Sequence, residues 1–139
     1  MKIVRLVLIG MMASSPILFG CDVNKNAKDT DTGNEHALTV LNPHYEIGTH
    51  KGGAPDSIIN VRFNLANNTD SVIIIDKAEP GCSCVSIDGF PRKIEPNSEE
   101  TLDATINIAR QRNHISKAIY ITYNGTKVRV VRIIGDVVE

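Results

Sequence analysis

From Leu38 to the end of the chain, apolar and polar residues alternate with a period of two. Ile59, Val61, Phe63 and Leu65 are separated by Asn60, Arg62 and Asn64, the pattern of a strand with one face buried and the other in water. Leu102, Ala104, Ile106 and Ile108 repeat it between Thr101, Asp103, Thr105 and Asn107, and Ile119, Ile121 and Tyr123 repeat it again. Val72 to Ile75 is apolar throughout, which predicts a more central strand. The doublets Val130-Val131 and Ile133-Ile134 break the alternation, so the last strand is expected to bulge or to be buried on both faces. No stretch repeats at the 3.6-residue period of a long amphipathic helix.

Turn residues separate these runs. Asn67-Asn68-Thr69-Asp70 divides two strands, and Pro96-Asn97 precedes the strand that begins near Thr101. Proline suits the first central position of a turn and asparagine tolerates the left-handed conformation. Asn124-Gly125, between two alternating runs, is the strongest short-range signal of a β-hairpin. About seven short strands with polar turns predict a single all-β domain over residues 38–139, an antiparallel β-sandwich.

The first twenty residues follow a different pattern. Lys2 and Arg5 give a positive start, Leu6 to Leu18 is mainly apolar, and small residues occur at Ala13, Ser14, Ser15 and Gly20. This is an export signal, residues 1–20, too short and too interrupted by Gly10 and Pro16 for a comfortable transmembrane helix. Leu18-Phe19-Gly20-Cys21 reads as a lipobox, with cleavage before Cys21 and acylation of the new N-terminal cysteine. Two or more acyl chains hold a protein stably on a bilayer where one chain alone is marginal. Residues 22–37 have almost no apolar content and read with Cys21 as a flexible tether, because they cannot bury enough surface to offset ordering entropy. Asp22 follows the acylated cysteine, where some enteric bacteria read a signal for inner-membrane retention. The expected location is the cell envelope of a bacterium, on the periplasmic side or at the cell surface.

Composition narrows the function. Without Lys2 and Arg5, the 15 basic residues become 13 against 16 acidic ones, a balance of −3. That gives no general attraction to nucleic acid or to anionic lipid. There is no tryptophan, and only three phenylalanines and three tyrosines, so the core is aliphatic, and Val and Ile suit strands. No G-x-S-x-G elbow frames a serine nucleophile, and Gly52-Gly53 reads as a loop rather than a phosphate cradle. Arg110, Arg112 and Lys117 with Arg92-Lys93 form at most a modest basic patch, more simply a solvated face. Asn67-Asn68-Thr69 and Asn124-Gly125-Thr126 match a glycosylation pattern that has no meaning in a bacterial host.

Several segments, taken in order, resemble a known bacterial family. They are His44-Tyr45-Glu46-Ile47-Gly48, Val61 to Thr69, Val72-Ile73-Ile74-Ile75, Gly81-Cys82-Ser83-Cys84-Val85, Ile94-Glu95-Pro96-Asn97 and Gly135-Asp136-Val137. The order resembles the domain-of-unknown-function family 1573, exported domains with a Phe-x-Phe-x-Asn segment, an aliphatic strand, a Cys-x-Cys motif, a Pro-Gly turn and a terminal Gly-x-Val. The resemblance covers about residues 43–138 and implies an immunoglobulin-like fold and export, with no established activity. Ser83 replaces the glycine usual between the cysteines, which narrows the backbone options there, and Asn97 replaces a turn glycine.

With Cys21 assigned to lipid, Cys82 and Cys84 are the remaining thiols. In an extended segment their side chains share a face, with Cα atoms about 6.6–7 Å apart. That is at the edge of disulfide geometry, so a bond requires a bend, for which Pro80-Gly81 is placed. Three readings stand: two packed structural sulfurs, bonded or not; a soft-metal site for Cu(I) or Zn, although two ligands do not complete a zinc site; and thiol–disulfide exchange. The first is preferred, and no cofactor is expected. His36, His44, His50 and His114 are scattered and show no ligand-like pairing.

These features describe a non-enzymatic, membrane-anchored envelope lipoprotein that acts as a binding or structural module. Its expected partners are the bilayer, through acylated Cys21, and an envelope protein met around Lys51–Ser57 and Gly81–Arg92. No nucleic acid or small-molecule substrate is implied. The alternatives are a metal-binding or redox protein using Cys82 and Cys84 and, ranked lower for want of aromatics, a cell-wall or polysaccharide binder.

Overall fold

The computed structural model of the protein describes residues 37–53 and 57–139. The export signal, Cys21 and the tether as far as His36 lie outside the described residues. Nine strands follow one another: β1 (Leu38–Val40), β2 (His44–Lys51), β3 (Ile58–Asn67), β4 (Ile73–Pro80), β5 (Val85–Gly89), β6 (Lys93–Ile94), β7 (Ser98–Asn107), β8 (Asn113–Tyr123) and β9 (Lys127–Val138). They form a four-stranded sheet in the order β1-β3-β7-β5 and a five-stranded sheet in the order β2-β9-β8-β4-β6. Among the described residues no helix interrupts them, and the architecture is the all-β sandwich expected from the alternation, of the immunoglobulin-like kind that the resemblance implies.

The inward faces are the aliphatic ones the sequence marks. Val61, Phe63 and Leu65 of β3, Leu102, Ala104 and Ile106 of β7, Ile119, Ile121 and Tyr123 of β8, and Val131 and Ile133 of β9 are buried together. Burying an aliphatic side chain of this size stabilises by roughly 1.5–3 kcal/mol. Tyr45 meets Phe63 edge to face, ring centres 6.1 Å apart, and so links the two sheets. The β8–β9 hairpin turns at Asn124 (φ 46°) and Gly125 (φ 85°), both left-handed, which is the backbone a tight hairpin needs. Asn97 adopts φ 53°, so asparagine meets the demand of that turn without glycine.

Three local expectations are corrected. The β2–β9 pair is parallel, running from His44↔Arg132 to Lys51↔Val138, whereas an antiparallel sandwich was expected. The chain crosses between sheets at Leu41–Pro43: Leu41 N–H donates to Asn64 O at 2.9 Å, and Pro43 O accepts from Arg132 N–H at 2.8 Å. That crossing leaves β2 beside β9 in the same direction. Second, β4, which carries Ile73–Ile75, lies between β8 and β6 as a more central strand does, but its apolar run is not buried on both faces. Ile73 and Ile75 are buried, but Val72 and Ile74 are 41% and 46% exposed, because they alternate onto the face turned away from the other sheet. Third, β9 has no bulge: its register with β8 runs unbroken from Asn113↔Val137 to Tyr123↔Lys127. Its extra apolar residues face outward, where Val128 and Val130 join Tyr120 on the outer surface. The irregularities lie instead in β2, between Glu46 and Thr49, and in β4, between Ile75 and Lys77.

Asn67 is the buried polar centre of the fold. Its Nδ2 reaches the carbonyls of Ser71 (2.8 Å), Ile94 (3.0 Å) and Glu95 (3.1 Å), and its Oδ1 accepts from Thr69 N–H (3.0 Å) and hydroxyl (2.7 Å). The side chain thereby ties the end of β3 to the following loop and to β6. Burial without these partners would cost several kcal/mol; with them the loop is fixed.

Candidate functional site

Cys82 and Cys84 stand at the corner where the chain leaves one sheet for the other. β4 ends at Pro80 in the five-stranded sheet and β5 begins at Val85 in the four-stranded one. Gly81 N–H donates to Ala118 O at 2.8 Å, holding the corner to β8. Val85 N–H donates to Cys82 O at 3.2 Å, which closes a four-residue turn, and Asn107 N–H donates to Cys84 O at 2.8 Å, which fastens the turn to β7. The turn draws the two Cα atoms to 5.3 Å, and the sulfurs are bonded. This is the bend that an extended Cys-x-Cys segment lacks. Ser83 keeps an ordinary backbone here, since it is absent from the left-handed residues; the turn therefore does not need glycine between its cysteines.

Cys84 and Ser83 line an open groove of about 440 Å³ with Asn107, Ala109, Arg110 and Gln111. Both cysteines are half-buried, packed against the edge of the core. Arg110 is the basic residue brought to this groove; the others disperse. Arg92 lies over the Phe90 ring at 4.8 Å, Lys93 pairs with Glu95, and Arg112 donates to the carbonyls of Gln111 and Ala109. The hydrogen bond to Glu95, and then its charge, hold Lys93 above its ordinary pKa. Asp103 does the same for Arg62, first by hydrogen bond and then by charge. That Arg110 and Cys84 line one groove is not legible in the sequence, because it depends on how the end of β7 meets the corner.

Two of the described histidines have partners other than the sulfurs. His50 Nε2 lies 2.6 Å from Ile47 O, and His114 Nδ1 lies 3.1 Å from Asp136 Oδ1. No group of three or more His, Cys, Asp or Glu among the described residues is placed to hold a metal ion. No helix among them is long and apolar enough to cross a membrane.

A second feature is the outer edge of β3. β1 pairs only with Leu65, Ala66 and Asn67. Beyond it, the Asn42 side chain stands in for a strand: its Oδ1 accepts from Asn64 N–H at 2.7 Å and its Nδ2 donates to Arg62 O at 2.8 Å. The same backbone alternation turns the N–H and C=O of Ile58 and Asn60 to that edge, where no described strand pairs with them. Ile58 is 59% exposed there. The edge adjoins the segment 51–57, of which residues 54–56 lie outside the described ones.

Comparison with known proteins identifies a family and a fold. The model of a family described as a protein of unknown function, DUF1573, matches residues 38–137. No curated protein sequence matches the chain. Among solved structures, a protein of unknown function from Porphyromonas gingivalis W83 superposes with a TM-score of 0.59 at 10% identity, over 72% of this chain and 46% of that one. This chain thus spans about half the length of that protein. The ASH/PapD-like domain 7 of human CEP192 gives 0.55 at 11% identity, over 94% of this chain and 99% of that one. The VesB protease of Vibrio cholerae gives 0.53 at 11% identity, over 73% of this chain but only 32% of the protease. At such identities the likeness is one of fold.

Proposed function

The chain belongs to the DUF1573 family of proteins of unknown function, and from that premise we propose that it is a non-catalytic binding module of a bacterial cell envelope. Acylated Cys21 anchors it to a membrane, residues 22–37 act as its tether, and the sandwich receives an extended segment of an envelope protein. The open edge of β3 carries this reading. An unpaired strand edge is a template for another chain, and natural proteins usually blunt such edges with charge, proline or covering loops. β4 is blunted in that way, with Asp76, Lys77, Glu79 and Pro80 along it and Lys77 paired with Glu79. β3 instead presents Ile58 and Asn60, beside residues 51–57 where contacts were expected from the sequence. A partner strand added there would gain main-chain hydrogen bonds, and Ile58 would gain an apolar neighbour.

The competing reading as a Cu(I) or Zn carrier needs both sulfurs as thiolates, which the bonded pair supplies only once it is reduced. The test is crosslinking followed by recovery of the lipoprotein from membranes. Ile58→Lys and Asn60→Pro are both expected to remove the recovered partner, with the thermal midpoint of Ile58→Lys close to that of the unaltered protein. Equal recovery with all three proteins would overturn the strand-addition reading.

A further inference from the structure

We propose that the Cys82–Cys84 disulfide is a thiol–disulfide exchange site, taking a cysteine-bearing segment of a partner protein in the groove beside Arg110. Three observations lead there. As a staple, the bond has almost nothing to do. A crosslink stabilises by restricting the unfolded chain, and the gain grows with the loop it closes. This one spans a sequence separation of 2, within a turn already closed by Val85 N–H on Cys82 O and fixed on either side by the Gly81–Ala118 and Asn107–Cys84 bonds. The corner therefore keeps its backbone bonds when the sulfurs part, and the bond can open without unfolding the domain.

The groove is the second observation. Cys84 lines it with Ser83, which gives an incoming sulfur a place to meet the bond. Arg110 is the third. Its side chain is exposed and lines the same groove, and a cation near a cysteine favours its thiolate. The exchange is then balanced as follows. A partner thiol loses its proton and attacks Cys84 Sγ; the bond to Cys82 breaks, a mixed disulfide forms on Cys84, and the Cys82 thiolate takes up a proton. A second partner thiol, deprotonated in turn, attacks the partner's sulfur of the mixed disulfide. Cys84 departs as a thiolate beside Arg110. The partner dithiol is oxidised to a disulfide by two electrons, and the Cys82–Cys84 pair is reduced to two thiols; the reverse sequence oxidises the pair.

The experiment uses the mature chain from Cys21 to Glu139. Oxidised wild-type protein is equilibrated with reduced and oxidised glutathione, and the thiol state is read by alkylation and mass. Separately, Cys82→Ser leaves the Cys84 thiol free, and its reaction with an aromatic disulfide reagent is followed against pH. The pair is expected to be reduced reversibly while far-ultraviolet circular dichroism and the thermal midpoint stay nearly constant. In Cys82→Ser, the reaction profile of Cys84 is expected to lie below that of free cysteine. Adding Arg110→Ala should slow the reaction at neutral pH by roughly three- to tenfold, with Arg110→Lys restoring most of it. A native disulfide that resists excess glutathione would overturn the proposal. So would unfolding on reduction, or a Cys84 profile that matches free cysteine and ignores residue 110. The wild-type titration decides the matter even if Cys82→Ser fails to fold.

Discussion

Asn67 shows how much a single side chain can organise in a domain of this size. It is fully buried, yet both ends of its amide are engaged, and the carbonyls of Ser71, Ile94 and Glu95 converge on one nitrogen. Asn67→Ala would take the shared donor from those carbonyls, of which Ser71 O and Glu95 O also accept from the Thr69 and Ser98 hydroxyls, and would take the Asn67 acceptor from Thr69 N–H. The expected loss is about 3 kcal/mol, read as a lower urea midpoint with an unchanged slope. Asn67→Asp should be nearly as damaging, since a carboxylate cannot donate to three carbonyls. In the sequence Asn67 is visible only as one of four polar turn residues. The buried role is illegible there because two of the carbonyls it serves, those of Ile94 and Glu95, lie 27 and 28 residues along the chain. Cys82 and Cys84 are the opposite case: the pair and its need for a bend follow from spacing alone, while the cation beside Cys84 does not.

At the level of elements, β3, β7, β8 and the hairpin at Asn124-Gly125 follow from alternation and turn chemistry, because each carries its own pattern of buried and exposed positions. β1 and β6 have three and two residues, too few for a period to register. The parallel pairing of β2 is also silent in the sequence, since it is set by a crossing near Pro43 and by a partner at the far end of the chain. One residue of that pairing did leave a mark. Gly135, within the terminal Gly-Asp-Val, has no room for a β-carbon: it would strike the Ile47 side chain and lie 2.8 Å from Gly48 O. Gly48 itself has φ 76°, so β2 kinks where it presses on β9. Gly135→Ala should push β2 away and destabilise by about 2 kcal/mol. Faster amide exchange along β2 than along β7 would locate the damage; uniform exchange would mean that β2 is not the element displaced.

For the whole molecule, the proposed anchor and the sandwich divide the labour between membrane attachment and recognition. Cys21→Ser should move the protein from the membrane to the soluble fraction, checked by fractionation and by loss of fatty-acid labelling, with the thermal midpoint of the sandwich unchanged. A protein that remains firmly in the membrane would remove both the lipid anchor and the assignment of Cys82 and Cys84 as the remaining thiols. The crossing at Leu41–Pro43 adds a mechanical consequence. A pull between residue 37 and the end of β9 acts first on the three residues of β1, which peel from β3. It then meets β2 and β9, which run in parallel with the load entering at the start of one and leaving at the end of the other. Their hydrogen bonds are strained together, in shear, rather than broken one after another. A parallel strand that breaks the antiparallel topology thus makes the domain resist being drawn out from its N-terminal end.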